Sequence, residues 1–183
     1  MKKSLLAACA LVLPASAAVI QFDLEGVGGS GLLATNERPT AVTTGGSGGE
    51  ILGGVTFDDV TKILLINVGW GSAQGFNDLT GTVSAAHLHG AASQTGTAGV
   101  FQPLTIANSS ADNGMITTSI TLSPEQEAAL LSGMTYLNMH TAANPGGEIR
   151  GNLVSAIPEP SALALGLLGG LALLRRSRTA AGS

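Results

Sequence analysis

Between residues 18 and 156 apolar and polar side chains alternate over short stretches that glycines keep interrupting, and this confines the chain to short strands. Ile20, Phe22 and Leu24 alternate with Gln21, Asp23 and Glu25, the period of a strand with one buried face. Residues 63–68 are a nearly continuous apolar run closed by Gly69-Trp70-Gly71, which predicts a strand buried on both faces. Residues 100–107 and 115–122 flank Asp112-Asn113-Gly114, where Asn-Gly suits the positive φ of a tight turn; they are expected to pair as a hairpin with a long tip. One helix start stands out. Ser123 is placed to cap it, Pro124 suits its first position, Gln126 completes a capping box, and Gly133 ends it. Residues 136–140 and 148–154 return to strand around a turn at Asn144-Pro145-Gly146-Gly147. These elements predict an all-β, antiparallel Greek-key sandwich or barrel with one short helix.

The two ends read differently. Residues 1–17 place Lys2 and Lys3 before an apolar run and close on Ala15-Ser16-Ala17, the order of a cleavable secretory signal. Residues 157–183 carry Pro158-Glu159-Pro160, an apolar segment at 161–174, and then Arg175, Arg176 and Arg178. This end resembles the PEP-CTERM tripartite sorting signal. The resemblance implies a tail held briefly in the inner membrane of a bacterium, then recognised and removed by an exosortase. As a helix the apolar segment spans about 21 Å, against roughly 30 Å of hydrocarbon, so it makes a marginal permanent anchor. The arginines orient it with the preceding residues outside.

Removing both ends changes the electrostatic picture. Five of the eight basic residues lie in them, leaving Arg38, Lys62 and Arg150 against eleven of the twelve acidic residues. A net charge near minus eight on the domain argues against nucleic acid and anionic membrane surfaces as partners. Cys9, the only cysteine, falls inside the signal. Neither a disulfide nor a thiolate-bound metal can therefore stabilise the exported protein, and its core must suffice.

All three histidines sit in two short stretches, Ala86-His87-Leu88-His89-Gly90 and Asn138-Met139-His140-Thr141. The second precedes Pro145-Gly146-Gly147-Glu148-Ile149-Arg150-Gly151. Together these motifs resemble the CHRD domain found in microbial secreted proteins, with one departure at Ala91, where the family usually carries proline. The resemblance covers about residues 18–154 and implies an immunoglobulin-like β module.

On strands, residues two apart share a face, so His87 projects with His89 and Asn138 with His140. Three imidazoles brought together could hold Zn²⁺ or Cu²⁺ with one position open. The preferred expectation is nonetheless structural: the histidines and Asn138 form a polar network that keeps two strands in register, without a cofactor. Glu148 and Arg150 are assigned to the same kind of network, Arg150 pairing with a carboxylate of a neighbouring strand. Gly45-Gly46-Ser47-Gly48-Gly49 imitates a nucleophile elbow without a following helix and is read as a flexible loop. Gly26, Gly28 and Gly31 imitate a dinucleotide fingerprint, but Pro39 interrupts the helix it needs.

The functional expectation is a non-enzymatic protein, exported to the cell surface or extracellular space, that binds or builds at the envelope or matrix. Its expected partners are an exosortase, transiently the inner membrane, and extracellular polysaccharide or a matrix protein. The alternative is a metal-binding protein or metalloenzyme built on His87, His89 and His140.

Overall fold

A computed structural model describes residues 18–106, 108–110 and 112–156. In chain order the strands are β1 (Val19–Glu25), β2 (Leu32–Leu33), β3 (Ser47–Asp58), β4 (Ile63–Trp70) and β5 (Val83–His89). There follow β6 (Val100–Leu104), β7 (Asn108–Ser110), β8 (Asn113–Thr121), helix α1 (Pro124–Leu131), β9 (Tyr136–Thr141) and β10 (Ile149–Ser155). The strands hydrogen-bond in the order β6-β5-β9-β10-β1-β3-β4-β8-β7, with β2 bridging β10 and β3. Every pairing is antiparallel. The protein is an all-β sandwich with a single short helix.

The alternation read in β1 sets which side is inside. Phe22 and Leu24 are buried with Phe57 of β3, Ile66 of β4, Leu88 of β5 and Leu137 of β9 in one apolar cluster. Each such side chain contributes about 1.5 to 3 kcal/mol on burial, which is how a domain without cysteines holds together. Helix α1 starts as its sequence specifies: the Gln126 amide donates to Ser123 Oγ at 3.3 Å, and the Ser123 amide donates to Gln126 Oε1 at 2.9 Å. Gly133, at φ 70°, ends that turn.

Three expectations are corrected. The first concerns the run 63–68, where Ile63 and Leu65 are 40% and 37% exposed while Leu64 and Ile66 are fully buried. Ile63 and Leu65 pair with Thr121 and Ser119 of β8, on the outer face of the sheet. The second concerns the long hairpin: β6 pairs with β5, whereas β8 pairs with β4 and with β7. Pro103 explains why β6 sits at a sheet edge, since proline has no amide to donate to a second neighbour. The third concerns the glycine tract, which is no loop beyond Gly46 because Ser47 opens β3. A Cβ on Gly48 would lie 2.5 Å from the Gly69 carbonyl and 3.2 Å from Trp70 Cβ, so glycine here permits close strand approach.

The expected signal at 1–17 and the expected sorting tail at 157–183, with Pro158, Glu159, Pro160, Arg175 and Arg176, lie outside the described residues. Among the described residues no helix is long and apolar enough to cross a membrane.

Candidate functional site: a polar face on three strands

Two rows of polar residues cross β5, β9 and β10 on the face opposite Leu88 and Leu137. Register aligns His87 with Asn138 and Asn138 with Arg150; one step along, it aligns His89 with Tyr136 and Tyr136 with Asn152. His140 lies two residues beyond Asn138 and therefore on the same face. This face is covered, because Tyr136, Asn138, Arg150 and Asn152 are all buried and His89 is 8% exposed. Only His87 and His140 remain half-buried at its rim.

The cover is the segment 92–98, fastened at each step by the sheet beneath. Asn152 Nδ2 donates to the Ala92 carbonyl at 3.1 Å. Arg150 donates from Nη2 to the Ser93 carbonyl at 3.0 Å and from Nη1 to the Gly96 carbonyl at 2.8 Å. Tyr136 Oη donates to the Ala98 carbonyl at 3.2 Å. The guanidinium also lies 3.6 Å from the Tyr136 ring centre. Arg150 thus makes no ion pair with a strand carboxylate; among the described residues the ion pair is Lys62 with Glu127. A planar fork meets two carbonyls at different heights of a loop, which a lysine could not do.

Glu148 has a separate job. Its Oε1 accepts from the amides of Gly46 and Thr80, and its Oε2 from Thr80 Oγ1, Thr141 Oγ1 and Asn144 Nδ2. Burial opposes its charge, but bonds from Thr141, Thr80 and Gly46 outweigh burial and hold the carboxyl below its ordinary value. Glu148 stitches β9, the start of β3 and the residue-80 turn together, while Arg150 secures the 92–98 segment.

Sequence reasoning did not single out Glu37, Tyr136 or Asn152. Asn152 was recoverable from its spacing of two from Arg150. Glu37 was not, for it reaches this face from the loop after β2. It is 3% exposed, and burial pushes its carboxyl up to about 7 against the pull of Arg38, Arg150 and Asn138. Gly147, at φ 127°, lies against it: a Cβ there would meet Glu37 Oε1 at 2.5 Å and Asn138 Nδ2 at 2.8 Å.

The three histidines converge. His87 Nδ1 lies 3.0 Å from His140 Nε2, the His87 and His89 rings meet edge-on at 5.5 Å, and one ligand atom from each lies within 4.8 Å of the others. His89 Nδ1 faces the Ala98 carbonyl at 3.0 Å and His140 Nδ1 the Pro145 carbonyl at 2.9 Å. A carbonyl only accepts, so both Nδ1 atoms carry the hydrogen and both neutral rings keep their lone pair on Nε2. His87 Nδ1 must then be the donor to His140. His89 Nε2 is buried and has no hydrogen-bond partner. Desolvation, then repulsion by the other imidazoles, holds His87 below the ordinary histidine range; desolvation does the same to His89, against the pull of the Ala98 carbonyl and the Asn138 side chain.

No curated protein and no solved structure matches the chain. Residues 30–153 match the CHRD domain family. That span runs from Ser30, just before β2, into β10, and holds every residue of the polar face together with Glu37 and Glu148. The chain belongs to the CHRD domain family.

Proposed function

We propose that the protein is an exported bacterial CHRD module that acts by binding, not by catalysis, at the cell envelope or in the extracellular matrix. Its signal directs it out of the cytoplasm, and an exosortase releases it by cutting the tail after transient residence in the inner membrane. Extracellular polysaccharide or a matrix protein is the partner class that such a destination offers. The observation that carries the binding role is the polar face of β5, β9 and β10. It is built on strands, covered by a clamped segment, and open only at His87 and His140. The Nδ1 atoms of His89 and His140 bond backbone carbonyls and His87 bonds His140, which supports a binding reading of this rim. A rigid polar rim of this kind suits recognition.

The test is made on protein recovered from the surface and medium of the native host. Intact mass is expected to show loss of both 1–17 and the apolar tail, and the recovered protein is expected to be retained on the host's extracellular matrix. A species outside the inner membrane that still contains residues 163–174 contradicts exosortase processing. Failure to be retained contradicts the binding role.

A further inference from the structure

We infer that His87, His89 and His140 form a site for one divalent transition-metal ion, copper(II) or zinc, with a coordination position open at the rim of the polar face. This names a ligand for the binding surface proposed above and rests on reading that face as one.

Three observations carry it. The first is proximity, since one ligand atom from each histidine lies within 4.8 Å of the other two, and His87 Nδ1 and His140 Nε2 are already 3.0 Å apart. Nitrogens bound at 2.0 to 2.1 Å to a tetrahedral ion stand about 3.3 Å from one another. Reaching that spacing needs a side-chain movement of about 1.5 Å, and His87 sits at the half-buried rim. In the bound form His87 takes its other tautomer, with the hydrogen on Nε2, so that Nδ1 presents its lone pair to the ion.

The second observation is the orientation of the other two rings. Backbone carbonyls of Ala98 and Pro145 fix the hydrogen on Nδ1 of His89 and His140, leaving Nε2 to donate. Holding the far nitrogen by a carbonyl is how ligating histidines are oriented and made more basic. The third is the orphan atom. A histidine kept only for structure tends to have both ring nitrogens satisfied, yet His89 Nε2 is buried without a well-formed hydrogen bond, its polar neighbour being the Asn138 side chain. A metal supplies the missing partner.

The donor set narrows the ion. Three imidazoles without carboxylate exclude calcium and magnesium, which take oxygen ligands. Without thiolate the site suits zinc or copper(II), and copper(II) binds the more tightly of the two at a given nitrogen site. The domain's net negative charge favours either cation.

The experiment uses the full chain, stripped with chelator and titrated separately with copper(II) and zinc salts. One equivalent of each is expected to bind, copper(II) more tightly, and the copper form should show electron paramagnetic resonance splitting from imidazole nitrogens. His87→Gln and His140→Gln lie at the rim and should melt close to the wild type without metal, while their copper affinity falls by about tenfold or more. His89→Gln is less useful because that ring is buried. Saturation well below one equivalent, or affinity unchanged in both rim variants, overturns the site. If wild type binds no metal yet is still retained on the host matrix, the metal inference falls and the binding role stands. Metal bound by a protein the matrix does not retain has the reverse meaning.

Discussion

His89 and Tyr136 face each other across β5 and β9 with their rings 4.7 Å apart and 4° from parallel, and both bond the carbonyl of Ala98. One ring supplies a nitrogen to the histidine cluster, and the other lies 3.6 Å from the Arg150 guanidinium. The cluster and the clamped segment therefore meet at His89 and Ala98, away from the rim rings of His87 and His140.

Tyr136→Phe keeps the stacked ring and removes the hydroxyl that holds Ala98. Urea melts are expected to show a loss of about 1 to 3 kcal/mol, because the hydroxyl both donates to the Ala98 carbonyl and accepts from the Ala98 amide. Tyr136→Ala also removes the ring, and should cost about 3 to 5 kcal/mol as an aromatic truncation in a packed site. Equal effects of the two variants would mean that the stack contributes nothing.

Arg150→Lys retains the charge but not the fork. It should lower stability by about 2 to 3 kcal/mol, because a lysine cannot reach both Ser93 and Gly96 and its buried ammonium lacks partners. Limited proteolysis is expected to cut within 92–98 faster than in the wild type. Unchanged cleavage would show that the segment is held without the guanidinium.

Glu148→Gln replaces an acceptor-only group with an amide facing Asn144 Nδ2 and two threonines, at an expected cost of about 1 to 3 kcal/mol. The native carboxyl is held below its reference value of 4.5. Its contribution is thus present above that pH and lost as pH falls through the folded-state pKa. Wild-type melts should show this acid limb, and the variant should lack this residue's share of it.

Glu37 works in the opposite direction. Its carboxyl is raised from 4.5 to about 7, so the folded state holds a proton that the unfolded chain releases earlier. Stability from this group is complete below pH 4.5, declines as pH rises to about 7, and is level above. The full decline is on the order of 3 kcal/mol. Glu37→Gln should flatten that limb and melt higher than the wild type at pH 8; a variant with the wild-type slope would assign the titration to another group.

Much of the molecule is legible in short windows. The capping box of α1, the inward side of β1 and the shared faces of His87 with His89 and of Asn138 with His140 follow from spacing alone. Helix caps need only neighbours within one turn, and a strand's two faces are set by its own pleat. Pro103 was a local clue to an edge strand, and Asn152 lay one pleat repeat from Arg150.

Which strands become neighbours is a different matter, decided by how the whole apolar set closes into one core. That closure sends β6 to β5 instead of β8, and draws Gly48 against β4. It likewise brings Glu37 from a distant loop to Asn138 and gives Arg150 the carbonyls of Ser93 and Gly96 in place of a carboxylate. Spacing placed pairs of histidine-bearing positions on strand faces; only tertiary pairing of β5 with β9 set the three rings together and left one buried nitrogen of His89 without a partner. Local alternation records which way a side chain points, but what it meets depends on segments tens of residues away, whose approach no short window contains.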